Sequence, residues 1–200
     1  MLEISESTDQ AEQLNTRSLA LMALVKTGDH RAFEELVGLH QNSLIGTAMR
    51  LLGNLDDAHD LVQQVFVRIW KSAPRYEPTA KFTTWMFTIL RNLAFNEYRR
   101  RGRHPVQSLE ADAEEFGHQI QDPHTTSPDE GALQNELERA IDEAILSLPE
   151  TQRIAVSLRR FEDLPYEEIA EILNMSLSAV KSLLFRARND LREKLKGYLS

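Results

Sequence analysis

Cysteine is absent from this chain of 200 residues. That excludes a disulfide framework and any thiolate metal site, and it suits a reducing, cytoplasmic setting. No apolar run approaches the roughly eighteen residues of a membrane-spanning helix, so none is expected. Met1 to Gln13 carries Glu3, Glu6, Asp9 and Glu12 without an apolar stretch, unlike a secretory signal. Strand-like alternation of apolar and polar residues is missing throughout, so the expected fold class is all-α. Glycine is scarce: Gly28, Gly38, Gly46 and Gly53 stand alone, and no phosphate-cradling glycine loop exists. The six histidines include no His-x-x-x-His pair. His118 and His124, among acids, make at most a weak metal site. With no nucleophile–base pattern either, neither an enzyme, a cofactor nor a metal is expected.

Positive charge is in the minority, with 23 Lys and Arg against 31 Asp and Glu, a net −8. Its distribution matters more than the sum. Residues 81–103 hold six basic side chains and one acid, and residues 181–200 hold six and two. Between them, residues 105–135 carry seven acids and no Lys or Arg. Two basic patches separated by an acidic strip fit nucleic acid better than the net charge does, because the local field governs binding. The strip also contains Pro105, Pro123, Pro128, Gly117 and Gly131 and few core formers, which reads as a flexible linker. The chain therefore divides into an acidic N-terminal tail (1–17), a small helical domain (18–103), the linker (104–135) and a second small helical domain (136–200).

The second domain carries the sharpest local signal. From Leu164 to Arg188 the pattern predicts a helix, a tight turn and a helix. Ile169, Leu173, Met175 and Val180 are apolar where such a pair packs, and Ala170 is small where the helices cross. Asn174 suits the left-handed residue that ends the first helix, and Ser176 suits the cap of the second. This is a helix-turn-helix, winged-helix-like without a wing, whose second helix enters a DNA major groove. The same pattern also serves an ordinary two-helix corner. Along the second helix, Val180, Leu184, Ala187, Leu191 and Leu195 line one stripe, with Leu183 on its flank. Ser178, Lys181, Ser182, Phe185, Arg186 and Asn189 fall opposite. There Phe185 suits a thymine methyl, while Lys181 and Arg186 reach guanine edges or phosphates.

Two helices of the first domain present comparable surfaces. Over Asp56–Lys71, Ala58, Leu61, Val62, Val65 and Ile69 form the buried stripe. Asp60, Gln63, Gln64, Val67 and Lys71 form the other face, with Asp56 and Asp57 at its start. One apolar residue central in a polar face suits docking of another helix; a solvated face with a stray valine is the alternative. Over Phe82–Arg101, Phe82, Met86, Ile89, Leu90 and Leu93 lie on one side. Thr84, Thr88, Arg91, Asn92, Phe95 and Arg99 lie on the other, with Trp85 and Asn96 at the edge. Arginine, aromatics and asparagine interleaved in this way suit unstacked bases. Trp85 and Phe95 serve equally well as core against a neighbouring helix.

Taken together, these segments resemble the extracytoplasmic-function (ECF) group of bacterial sigma factors. The likeness rests on Ala32-Phe33-Glu34-Glu35-Leu36-Val37, the run Asp57–Trp70, the run Phe82–Ala94, Leu148-Pro149 with Arg153, and Tyr166-Glu167-Glu168-Ile169-Ala170 onward to Arg188. It implies a two-domain factor that brings core RNA polymerase to promoter DNA, with an anti-sigma factor as a further partner. It implies that Asp57, Asp60, Gln63, Gln64 and Val67 bind the polymerase clamp helices. It implies that Tyr76, Lys81, Trp85, Asn92 and Asn96, beside Arg91 and Arg99, meet the melted minus-10 strand. Lys181, Ser182, Phe185 and Arg186, beside Ser178, are implied for the duplex minus-35 element. Three departures stand out: Gln64 where Glu is frequent, His59 for an acid, and Leu183 where Arg is usual. A helix-turn-helix regulator acting without polymerase explains the second domain equally well, but not the aromatic, Asn-bearing face around Trp85.

Overall fold

The computed structural model describes residues 2–103 and 128–198, with side chains placed over 9–102 and 136–198. Among these residues all regular structure is helical. α1 (Leu2–Val25), α2 (His30–Leu52), α3 (Leu55–Ser72) and α4 (Phe82–Arg103) form one bundle. α5 (Pro128–Leu146), α6 (Glu150–Arg160), α7 (Tyr166–Leu173) and α8 (Leu177–Lys194) form a second. A short 3-10 turn, Ala73–Arg75, leads from α3 toward α4. No described helix is long and apolar enough to cross a membrane.

The breaks between helices follow local chemistry. Asp29 caps α2, its carboxylate accepting from Arg31 N and Ala32 N at 2.9 and 3.1 Å. Gly53 ends α2 at φ 72°, the left-handed region open to glycine. A Cβ there would also lie 3.1 Å from Leu146 Cδ2 of α5, a tight contact from which that side chain would have to shift by a few tenths of an ångström. Asn54 caps α3 by accepting from Asp57 N at 3.0 Å. Asn174 ends α7 at φ 54° and ψ 51°. Ser176 Oγ then accepts from Ala179 N at 3.2 Å to cap α8.

Two expected boundaries move. Residues 9–17, read as tail, belong to α1, where Asn15 Oδ1 accepts from Phe82 N at the start of α4. The linker span of 104–135 is also too long, because α5 begins at Pro128. Proline suits a first helical position, and Asp129 and Glu130 suit a helix N-terminus. The rest of the linker, with His118 and His124, lies outside the described residues.

The helix stripes become the core. Met22, Leu36, Leu44, Leu51, Ile69, Phe82, Met86 and Leu90 are fully buried in the first bundle. Ile145, Ile154, Leu158, Ile169, Ile172, Val180 and Ala187 are buried in the second. Phe87, absent from the expected stripe of α4, is buried as well. The two bundles also pack on each other, α2 against α5 and α6, and α4 against α7.

Candidate nucleic-acid and polymerase interfaces

α3 has the face its sequence promised. Ala58, Leu61, Val62, Val65, Phe66 and Ile69 are buried, while Asp60, Gln63, Gln64 and Val67 are exposed together. Val67 is 46 % exposed, an apolar side chain central in that polar surface. Asp57 differs from the other four. Its Oδ2 takes Arg101 Nη2 at 2.5 Å, tying the start of α3 to the end of α4.

Arg101 also donates to Glu97 Oε1 at 3.0 Å and to Leu52 O at 3.2 Å. Arg100 donates to Glu97 through Nε and Nη2 at 2.9 and 2.8 Å. The hydrogen bond from Arg100, with Arg101 adding to it, holds the Glu97 carboxyl below the usual range. The arginine run is therefore split in use: Arg101 is a structural tie, and Arg99 bonds Asn96 Oδ1. The signal was present in sequence, since Glu97 stands three and four residues before the two arginines.

The residues expected to meet single-stranded DNA fall into two sets. Asn92, Asn96 and Arg99 are exposed on α4. Tyr76, Lys81, Trp85 and Arg91 are engaged within the molecule. Tyr76 is buried rather than presented. Its ring lies 4.6 Å from that of Trp85 and 6.5 Å from that of Phe82. Its hydroxyl has no hydrogen-bond partner among the described residues, and burial raises its pKa. Trp85 is half-buried and borders a cleft of about 160 Å³ with Tyr76, Thr79, Thr84, Thr88 and Glu171. Lys81 Nζ lies 2.6 Å from Glu168 Oε1, and Thr84 Oγ1 donates to Glu168 Oε2 at 3.1 Å. Arg91 Nε donates to Ile172 O at 2.9 Å, and burial lowers its pKa. Glu168 and Ile172 belong to α7. Sequence reasoning missed both, because nothing local relates them to α4.

α8 is divided as the helix period requires. Val180, Leu183, Leu184 and Ala187 are buried against the second bundle. Ser178, Lys181, Ser182, Phe185 and Arg186 are exposed, with Phe185 at 61 %. Ser178 Oγ lies 3.1 Å from the capping Ser176 Oγ, at the start of the helix. Arg186 Nε donates to Ser182 O at 3.4 Å, which leaves the guanidinium tip at the surface. Leu183, noted above as a departure, is a core residue here. Among the described residues no His, Asp or Glu group converges as a metal site would.

Residues 36–104 match the family described as Sigma-70 region 2, and residues 138–191 match Sigma-70, region 4. The chain is 36 % identical over 189 residues to the ECF RNA polymerase sigma-E factor of Haemophilus influenzae, covering 92 % of this chain and 97 % of that one. It is 34 % identical over 183 residues to the RNA polymerase sigma-H factor of Pseudomonas aeruginosa, covering 90 % and 94 %. Its fold is similar to the sigma factor RpoE solved with the anti-sigma factor NepR from Bartonella quintana. There the TM-score is 0.63 and the identity 29 %, over 82 % of this chain and 96 % of that one.

Proposed function

The chain belongs to the ECF group of the sigma-70 family, and from that premise we propose how its two bundles divide the start of transcription. It is an alternative sigma factor that directs RNA polymerase to promoters. α8 reads the minus-35 element as closed duplex through Ser178, Lys181, Ser182, Phe185 and Arg186. The α4 face with Trp85, Arg91, Asn92, Asn96 and Arg99, joined by Lys81 before it, takes the melted minus-10 strand, with Tyr76 packed beneath Trp85 as its support. Asp60, Gln63, Gln64 and Val67 of α3 dock core polymerase, with Asp57 at the edge of that surface.

The observation that carries this reading is the division of α8. An aromatic ring and two cations stand exposed directly opposite a buried apolar stripe. Arginine and lysine match the acceptors of a guanine edge, and a ring packs on a thymine methyl. On α4 the chemistry changes to suit unpaired bases. Trp85 offers a stacking surface, the asparagines offer base-edge hydrogen bonds, and the basic side chains meet phosphates. Taking a base from the stack costs a few kcal/mol, which contacts from factor and polymerase together offset.

The protein acts by binding alone, without chemistry of its own, and it works in the cytoplasm. An anti-sigma factor is its further partner, as for the Bartonella protein of similar fold.

Run-off transcription from genomic fragments with purified core polymerase tests the reading. Transcripts should start at discrete sites only when both proteins are present. A symmetric footprint of the protein alone on palindromic duplex, with no polymerase-dependent starts, would identify a regulator instead.

A further inference from the structure

Lys81 stands directly before α4 and has no side-chain oxygen, so it cannot cap the helix that follows it. The cap comes from α1. Asn15 Oδ1 accepts from Phe82 N at 2.9 Å, meeting one of the donors that a helix start leaves open. The other end of the connection into α4 is tied to the same helix. Lys26 Nζ donates to Tyr76 O at 3.0 Å. Lys26 follows Val25 directly, and its own N–H bonds Met22 O at 2.9 Å, so it continues the last turn of α1. Eleven positions separate Asn15 from Lys26, three helical turns, which sets both on one side of α1. They stand about 16 Å apart along the axis, within the reach of the backbone from Tyr76 to Phe82.

Between these two ties, residues 77–81 form no helix, and Glu77, Pro78, Thr79, Ala80 and Lys81 are all exposed. A backbone bond from Thr79 N to Glu77 O at 2.9 Å bends the segment. Its position governs what α4 presents. Tyr76 carries its ring 4.6 Å from that of Trp85, and Glu77, Thr79 and Ala80 line the cleft together with Thr84, Trp85 and Thr88. Phe82 is fully buried, its ring 5.8 Å from Trp85 and 5.1 Å from His40. His40 in turn lies 2.8 Å from Ser18 Oγ, one turn after Asn15 on α1. Asn15, Ser18 and Lys26 thus all bear on the aromatic group of Tyr76, Phe82 and Trp85.

We propose that α1 is part of the minus-10 reader: Asn15 and Lys26 are positioning residues that hold the 76–82 segment at both ends and so place Lys81 and Trp85 against the unpaired strand. This rests on the assignment of α4 to that strand. Both residues lie outside the two segments that match sigma-70 regions, 36–104 and 138–191. Neither needs to touch DNA. Their effect is on selectivity, because a base is told from its competitors only while the groups that meet it are held in place. Without the ties, Trp85 and Lys81 keep their chemistry but occupy more positions, and the four bases are bound more alike.

The test uses holoenzyme on forked templates, unpaired at minus-10 and duplex at minus-35, with single base changes in each element. Asn15→Leu removes the acceptor and Lys26→Met removes the donor, each at nearly constant size. Both should lower discrimination at one or more unpaired positions by about fivefold, the worth of one hydrogen bond, with core-polymerase affinity and the minus-35 response unchanged. Asn15→Asp and Lys26→Arg, which keep acceptor and donor, should keep the discrimination. Lys26 is exposed, so its variant carries the test if Asn15→Leu is unstable to urea. Full minus-10 discrimination in the folded variants, where Asn92→Ala flattens it, overturns the role of α1 and leaves the α4 assignment standing. No change from Asn15→Leu, Lys26→Met or Asn92→Ala overturns that assignment, and the proposal with it. An equal loss at both elements marks Asn15 and Lys26 as supports of overall stability and overturns the proposal as well.

Discussion

His40 lies between α1 and α2, 2 % exposed, with its Nε2 2.8 Å from Ser18 Oγ. Ser18 already donates to Leu14 O at 2.7 Å, so its oxygen accepts from His40 Nε2–H. Burial pulls the His40 pKa from 6.5 down to about 4. Between these values the unfolded chain takes a proton that the native one refuses. Stability is therefore complete above pH 6.5 and falls as the pH drops toward 4. From pH 7.5 to pH 5 the loss from this residue is about 2 kcal/mol. Urea unfolding at both pH values should show it, and His40→Gln should flatten the difference; an equal slope in the variant would assign it to other groups. The spacing Ala32, Leu36, His40, Leu44, Ala48 sets His40 on the buried stripe of α2, but its partner Ser18 lies on another helix and nothing local pointed to it. Asp57 teaches the same lesson: its place at a helix start was legible, its pairing with Arg101 was not.

Helices and their caps were the most legible features, because their causes lie within a few residues. Asn174 in the left-handed region and Ser176 as N-cap stand where the sequence put them. Ser176→Ala should lower stability by about 1 kcal/mol, the usual worth of such a cap. Asn174→Gly should be neutral or better and Asn174→Ala worse, since only alanine strains at positive φ. Denaturant midpoints of the three variants check the order. The division of α8 into buried and exposed faces was equally readable, from its 3.6-residue period. For α3 the same period leaves Asp60, Gln63, Gln64, Val67 and Lys71 exposed along one face, with Val67 apolar among polar neighbours. Val67→Asp should weaken core-polymerase binding by about 2 kcal/mol or more, as for a central interface residue. Unchanged affinity with unchanged helicity would move the docking surface elsewhere.

At the scale of the whole molecule, the sequence foretold two helical units but not that they would close on each other. The Lys81–Glu168 pair spans 87 positions, and Thr47–Glu162 spans 115. Each glutamate, read alone, is an ordinary helix or turn carboxylate. Only the packing of α4 on α7 makes Glu168 a counter-charge to Lys81, which the sequence marked for DNA. The same packing engages Lys81 and Arg91, through Glu168 and Ile172, and leaves Asn92, Asn96 and Arg99 exposed. The central claim is that two surfaces read one promoter in two physical states. The most direct measurement is holoenzyme binding to forked templates, duplex at minus-35 and unpaired at minus-10, with single base changes in each element. Asn92→Ala should flatten the response to changes in the unpaired strand and keep the minus-35 response. Arg186→Ala should do the reverse, losing about 1–3 kcal/mol of discrimination at one or two duplex positions. A folded Asn92→Ala that keeps full minus-10 discrimination, or an Arg186→Ala that keeps full minus-35 discrimination, would contradict the account.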